Sequence, residues 1–196
     1  CIGVRSYEIG RMMLKNDFTG AIDLLMKGRN RTKDGQFAES EEVRNFRNVY
    51  FTSNKDVDKT LSVLPSCMTN SREKIVLKGV KRYGLERPLE AIKCLNFSVR
   101  TFWINAYQSY VWNKAATERI QRFGCCPIIG DLYKDCDTNK IKVVDDISTV
   151  SISDIVLPLV GYNIIYPSNE LGTFMQALLE KDGIEFKKDA VPEATA

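Results

Sequence analysis

The chain has 196 residues, of which 44 % are hydrophobic and 27 % charged, and this composition excludes an intrinsically disordered protein. Because histidine is absent, Ser-His-Asp and Cys-His catalysis and histidine-bearing zinc sites are excluded within these residues. The net charge of +3 conceals an asymmetry, since residues 1–100 hold 19 Lys and Arg against 12 Asp and Glu, whereas residues 101–196 hold 9 against 13. A basic first half is typical of a protein with a polyanionic partner, although solvated helix faces give the same pattern.

The six cysteines are irregularly spaced and form no C-x-x-C pair, which favours a reduced intracellular protein, in the nucleus or the cytoplasm. No apolar run approaches the ~18 residues that a membrane span needs, so we expect no membrane association. The first residues lack the apolar core and the cleavage site of a signal peptide. Since the chain begins at Cys1 without an initiator methionine, we expect an internal fragment of a longer protein.

The first hundred residues have the periodicity and the capping residues of short helices. Ser40 precedes two glutamates, Asn70 precedes Glu73 by three residues, and Pro88 has the position of a first helical residue. Residues 28–39 are polar and contain two glycines, which predicts a loop. The predicted helices cover about residues 7–15, 19–27, 40–51, 54–64, 70–83 and 88–95, with Asn54 as the expected cap of the fourth.

The second half begins with a long helix and then changes character. The helix is predicted from about Val99 to Phe123, with Gly124 closing it. Strands follow at residues 128–134, 140–144 and 162–167, then a helix from Asn169 to Gly183. Between the second and third of these strands, either Ser151 or Ser153 is expected to cap a helical turn. The predicted fold class is therefore α+β, with a helix-rich first half, a long central helix, and mixed short strands and helices after it.

The long helix carries a stripe of neutral polar side chains. Asn105, Gln108, Ser109 and Asn113 recur at helical spacing, while most of the surrounding residues are apolar or aromatic. Such a pattern predicts a buried helix, in which an unpaired amide or hydroxyl costs about 1–3 kcal/mol. The stripe therefore needs partners, which are either neighbouring backbone groups or a bound polar ligand.

Three stretches together resemble the TruD family of RNA pseudouridine synthases. They are SYEIGRMMLKNDFTGAIDLLM near the start, AYQSYVWNKAATERI in the long helix, and DIVLPLVGYNIIYP at residues 154–167, with a Gly130-Asp131 turn between the last two. The third stretch has Val160 where the family usually has proline. The resemblance covers about residues 5–30 and 75–185 and is closest to the eukaryotic branch. The residues that match the family motifs are Tyr107, Gln108, Tyr110, Trp112, Asn113, Gly161, Tyr166 and Pro167.

The resemblance implies an enzyme that isomerises uridine to pseudouridine in RNA, in tRNA and, for eukaryotic members, in other RNAs. Members of the family use no cofactor and no metal, and an aspartate attacks the nucleotide while the glycosidic bond breaks and the uracil turns. A family-specific insertion interrupts their catalytic domain, and RNA enters the cleft between the two. Residues 1–98 then correspond to a helical segment adjoining the catalytic domain, residues 99–190 to part of the insertion, and residues 191–196 to a tail.

The catalytic aspartate of the family has no counterpart in this sequence. Its G-x-K-D-x-x-A motif belongs before the first helix, so we expect no catalytic residue in this chain and no activity from the chain alone. The segment RTKDGQFA imitates the motif around Asp34, but it lacks the leading glycine and follows the first helices. We therefore interpret Asp34 as a surface loop residue.

Basic side chains in the first half are the candidates for RNA contacts. They are Lys78, Lys81 and Arg82 on the predicted helix and Arg29 and Arg31 in the loop. Contacts of this kind position a polyanion without reading its sequence, and solvated helix faces are the alternative. For the whole chain, the alternative to an enzyme part is a non-catalytic module that binds RNA or protein with the same fold.

One further pattern imitates a calcium-binding loop. Asp135, Asp137, Asn139 and Asp146 have EF-hand-like spacing, but Lys140 occupies the position of the required glycine. The flanking residues favour strands, so we predict a hairpin turn and no metal site. No glycine-rich phosphate-binding motif is present, and no nucleotide cofactor is expected.

Overall fold

The computed structural model describes residues 6–28 and 39–186. The chain divides after Tyr107 into two compact units. We call the described residues up to Tyr107 the N-unit and those from Gln108 onward the C-unit. The fold is α+β as predicted, since most described residues are helical and a small antiparallel sheet belongs to the C-unit.

Helices make up nearly all of the regular structure of the N-unit. The residues between α4 and α5 include one turn of 3-10 helix, Ser66–Met68. The helices are α1 (Ser6–Leu14), α2 (Phe18–Lys27), α3 (Glu41–Thr52), α4 (Val57–Ser62), α5 (Arg72–Tyr83), α6 (Pro88–Lys93) and the first residues of α7 (Phe97–Phe123).

Two helix caps differ from the sequence-based prediction. Asp56, and not Asn54, caps α4 by accepting a hydrogen bond from the backbone N–H of Lys59 at 3.0 Å. Asn54 cannot do so, because its φ of 55° places it in a left-handed turn. Ser71, and not Asn70, caps α5, and Ser40 caps α3 as predicted.

The core of the N-unit contains large side chains from α1, α2, α3, α5, α6 and α7. Phe46 and Trp103 are almost completely buried, and burial of such a side chain contributes about 1.5–3 kcal/mol. Helix α1 approaches α7 at Gly10, where a Cβ atom would lie 1.9 Å from the carbonyl oxygen of Trp103. The core also includes Met13, Met26, Tyr50, Val76, Leu77 and Ile92.

A three-stranded sheet and two helices build the C-unit. The strands are β1 (Leu132–Lys134), β2 (Ile141–Val143) and β3 (Ile155–Val156), in the order β2-β1-β3, and both pairings are antiparallel. Leu132 lies opposite Val143 on one side and Val156 on the other. The remaining elements are the rest of α7 and α8 (Glu170–Asp182), which Asn169 caps and Gly183 ends as predicted.

The segment with EF-hand-like spacing forms a hairpin turn between β1 and β2, as predicted. The Asp135 side chain accepts hydrogen bonds from the backbone N–H groups of Asp137 and Thr138, and Asn139 takes a positive φ of 57°. Asp135 also pairs with Lys142, and this hydrogen bond is the main reason that the pKa of the Asp135 carboxyl lies below its usual range. The carboxylate therefore stabilises the turn.

The segment YNIIYP was predicted as a strand, and this prediction is wrong. Tyr162 and Asn163 form a turn, in which Asn163 has a φ of 54°, and the residues from there to Pro167 have no regular secondary structure. The third strand of the sheet is instead Ile155–Val156, which pairs with β1 and is too short to be evident in the sequence. Ser151 caps a single turn of 3-10 helix before it, which confirms one of the two predicted caps.

None of the helices in the described ranges could cross a bilayer, because none combines sufficient length with an apolar composition. Helix α7 has 27 residues but carries lysine, arginine and glutamate in its second half.

Candidate functional site

Helix α5 presents the predicted basic residues to solvent. Lys78, Lys81 and Arg82 are all exposed, but they differ in their partners. Lys81 forms an ion pair with Asp58 of α4. Lys78 and Arg82 have no ion-pair partner among the described residues. The structure thus separates a neutralised lysine from two cations available to a ligand.

Arg87, which sequence reasoning missed, lies beside Tyr83 at the C-terminal end of α5. Arg82 lies over the ring of Tyr83 at 5.2 Å, and Arg87 lies over the same ring at 5.7 Å. Cation–π contacts of this kind hold a guanidinium in place without using its N–H donors. The Arg-Pro dipeptide at the start of α6 was visible in the sequence, but its proximity to Tyr83 depends on the turn at Gly84.

Arg47 organises the polar interior of the N-unit. Its guanidinium contacts Glu39 at 2.7 Å and Glu73 at 2.9 Å and donates hydrogen bonds to the carbonyl oxygens of Leu25 and Met26. These partners saturate the side chain, which is 9 % exposed. Glu73, which the sequence suggested as part of a capping box, therefore serves this cluster. The cluster lines a cavity of about 500 Å³ together with Arg72 and Trp103.

The polar stripe of α7 is not buried as expected. Asn105, Ser109 and Asn113 are exposed, and Asn113 donates a hydrogen bond to the carbonyl oxygen of Ser109 within the same helix. Only Gln108 is partly buried. The prediction of a buried helix was wrong for this face, because Phe102 and Trp112 are 52 % and 36 % exposed. Aromatic residues on a long helix do not by themselves show which faces are covered.

Gln108 and Trp112 anchor the segment 157–167 to α7. The side-chain amide of Gln108 donates a hydrogen bond to the carbonyl oxygen of Val160 at 2.8 Å, and the indole N–H of Trp112 donates one to Leu157 at 3.1 Å. The two residues are four positions apart and so share one face of the helix. This resolves the sequence-level alternatives in favour of backbone partners for Gln108.

The anchored segment contains the other family-motif residues. Pro167 is buried, and burial is the main reason that the pKa of Tyr166 lies above its usual value. Gly161 has room for a side chain, since a Cβ atom would meet nothing closer than 3.5 Å. Leu159, Tyr162, Ile164 and Ile165 are exposed on the segment. Part of it borders an apolar groove of about 330 Å³ beside β1 and β2.

A buried ion pair holds the Gly130-Asp131 turn against α7. Arg119 contacts Asp131 at 2.8 Å, and the two side chains are 5 % and 1 % exposed. Asp131 also accepts hydrogen bonds from the backbone N–H of Ile128 and from Asn169. Arg119 donates further to the carbonyl oxygen of Gly124. Every polar atom of the pair is used, which gives Asp131 a structural role.

The other predicted residues are less informative about the site. Tyr107 is completely buried, and Tyr110 is partly buried with Lys114 at 6.0 Å from its ring. Arg29, Arg31 and Asp34 lie outside the described residues. Over residues 6–28 and 39–186 there is no group of three or more acidic or cysteine side chains placed to hold a metal ion.

Comparison with known proteins supplies the family. The profile of the family "TruD: tRNA pseudouridine synthase D (TruD)" matches residues 3–196. The chain is 31 % identical over 182 residues to the pseudouridylate synthase 7 homolog of Mus musculus and 28 % identical over 211 residues to the multisubstrate pseudouridine synthase 7 of Schizosaccharomyces pombe. Each alignment covers 93 % of this chain, but only 26 % and 30 % of the relatives.

A solved structure supports the fold independently. The chain superposes on a Methanosarcina mazei crystal structure assigned to tRNA pseudouridine synthase D (TruD), with a TM-score of 0.76 and 18 % identity. The match covers 98 % of this chain and 47 % of that one. With a family profile that spans almost the whole sequence and a fold that agrees, this chain belongs to the TruD family of pseudouridine synthases.

Proposed function

We propose that this chain is part of an enzyme that isomerises uridine to pseudouridine in RNA, with tRNA among its substrates. Family membership over residues 3–196 is the observation that carries the proposal. The chain spans about a quarter of the length of the curated relatives it matches, so the activity is proposed for the longer protein. In it, this portion contributes scaffold and RNA-binding surface.

The nucleophilic aspartate of the enzyme, in our proposal, lies outside this sequence. Asp131, the fully buried carboxylate among the described residues, is saturated by Arg119, Asn169 and a backbone N–H group. Asp23 is occupied by Tyr50 and Lys55. Carboxylates held in this way support a fold and are poorly placed to attack a nucleotide.

The parts of the chain have different roles in this proposal. Residues 1–98 adjoin the catalytic domain and carry the basic surface, residues 99–190 form part of the family-specific insertion, and residues 191–196 are a tail. Gln108, Trp112 and the segment they anchor are scaffold within the insertion. The basic candidates Lys78, Arg82, Arg29 and Arg31 are proposed RNA contacts, whereas Lys81 is left out of this set because it pairs with Asp58. Since its substrate is cellular RNA, we place the enzyme inside the cell.

Turnover by the full-length protein and by this chain tests the proposal. The measurement is tritium release from RNA transcripts that contain [5-³H]uridine, because isomerisation replaces the C5 hydrogen. We expect release by the full-length protein and none by residues 1–196 alone. Release by residues 1–196 alone would place the nucleophile within this sequence. RNA binding by the full-length protein without release would instead favour a non-catalytic binding module.

A further inference from the structure

Helix α5 carries a column of like charges that the fold does not neutralise. Lys74, Lys78 and Arg82 are spaced four residues apart, so they lie on one face of the helix. No ion pair connects any of them to a carboxylate among the described residues, whereas Lys81 on the same helix pairs with Asp58. Like charges at this spacing destabilise a helix. A bound partner that supplies negative charge would relieve this repulsion.

The column ends at two arginines that share one aromatic ring. The guanidinium carbons of Arg82 and Arg87 lie 5.2 and 5.7 Å from the centre of the Tyr83 ring. Pro88 restricts the backbone of Arg87, which precedes α6. Because the ring contact favours particular positions of both side chains, it reduces the conformational entropy that is lost when a ligand binds. Each planar guanidinium keeps a fork of N–H donors that matches two phosphate oxygens.

We propose that Lys74, Lys78, Arg82 and Arg87 form a contact that follows the phosphodiester backbone of bound RNA, with Tyr83 positioning the two arginines. The inference rests on the proposed function and specifies where the longer enzyme holds its substrate. Four residues of α-helix advance about 6 Å, a step comparable with that between successive phosphates of one strand. Side chains repeated at that step suit a polymer with one charge per nucleotide, and they read no sequence.

Binding of a tRNA transcript by the full-length protein, measured over a series of salt concentrations, tests the contact. The double variant R82Q/R87Q should reduce the slope of log K against log salt by about one to two, since each lost phosphate contact removes about 0.7–0.9. The control is K81Q, which removes one positive charge from α5, and it is matched by the single variant R82Q, which also removes one charge from α5 and should reduce the slope by about 0.7–0.9. Because Lys81 is paired with Asp58, K81Q should leave the slope nearly unchanged.

Two further variants separate geometry from charge. R82K/R87K retains both charges but lacks the forks, so we expect a nearly unchanged slope and an affinity about tenfold lower. Tyr83→Leu retains both arginines but removes the ring that positions them, and it should lower affinity without changing the slope. Thermal melting of each variant shows whether the protein remains folded, so that a loss of affinity is assigned to the contact.

An unchanged slope in folded R82Q/R87Q would overturn the inference, and so would equal losses in K81Q and R82Q/R87Q. Equal weakening of polyglutamate and RNA binding by R82Q/R87Q would show a face for acidic polymers in general and would also overturn the assignment to RNA. Tritium release by the wild-type full-length protein distinguishes this failure from failure of the proposed function. If the wild type releases tritium and R82Q/R87Q has an unchanged slope, only the proposed contact is rejected. If R82Q/R87Q has a reduced slope and the wild type releases no tritium, only the proposed enzymatic activity is rejected.

Discussion

Asp131 illustrates how a single residue in this chain serves the fold. Its carboxylate and the Arg119 guanidinium are both buried, so removal of one charge leaves the other without a counter-charge. We expect Asp131→Asn to lower the free energy of unfolding by about 3–5 kcal/mol, as measured by urea denaturation. The control is Glu170→Gln, because Glu170 pairs with the half-exposed Arg122 at 3.2 Å and its loss should cost less than about 1 kcal/mol. Similar losses in the two variants would contradict a structural role specific to the buried pair.

Tyr50 gives the N-unit a dependence on alkaline pH. Burial is the larger cause that raises the pKa of its phenol, and the neighbouring Asp23 carboxylate, which accepts its hydrogen bond at 3.0 Å, raises it further. The folded-state pKa lies above the unfolded value of about 10, so folding favours the neutral phenol. The stability from this preference is complete below pH about 10 and is lost as the pH rises through the folded-state pKa.

Tyr50→Phe should therefore reduce the loss of stability at alkaline pH. We expect the free energy of unfolding of the wild type to fall more steeply above pH about 10 than that of the variant, measured by urea denaturation at several pH values. Near neutral pH the variant should be less stable by about 1 kcal/mol, because it lacks the hydrogen bond. An alkaline decline that is as steep in Tyr50→Phe as in the wild type would show that other groups cause it.

At the scale of elements, close backbone approach requires glycine at particular helix positions. Helix α8 starts against Pro167, and a Cβ atom at Gly172 would lie 1.9 Å from the Pro167 carbonyl oxygen. Gly172→Ala should lower the free energy of unfolding by about 1–3 kcal/mol or more, since a backbone atom must move. Gly161→Ala, where the nearest atom is 3.5 Å away, is the matched control and should change stability much less. The order of the two thermal midpoints checks this prediction, and a lower midpoint for Gly161→Ala would contradict it.

The elements also show how far sequence patterns reach. Helix periodicity and the caps at Ser40, Asn169 and Gly183 predicted most helices, because these signals act within one or two turns. The strand predicted over residues 162–167 was wrong, because strand pairing depends on residues distant in the chain, and the sheet is completed by Ile155–Val156 instead. Of the two adjacent candidates Asn70 and Ser71, Ser71 has the extended backbone of a cap, and its side chain accepts a hydrogen bond from the backbone N–H of Lys74.

For the whole molecule, the division after Tyr107 makes a prediction about cooperativity. Asp131 belongs to the C-unit, so Asp131→Asn should accelerate amide hydrogen exchange in β1 and α8 more than in α2, α3 and α5. Hydrogen–deuterium exchange with mass spectrometry measures this at the level of peptides. An equal acceleration in both sets of elements would show that the two units open together.

The sequence by itself determined the α+β class, the family and the order of the helices, because composition, periodicity and motifs are properties of short stretches. It also identified Lys78, Lys81 and Arg82 as one basic group. Only the tertiary structure separated Lys81, which Asp58 neutralises, from Arg82, which shares the Tyr83 ring with Arg87. It likewise decided that Gln108 has a backbone partner while Asn105, Ser109 and Asn113 face solvent. Ion pairs, ring contacts and burial depend on residues that are distant in the chain, and no local pattern specifies which of them meet.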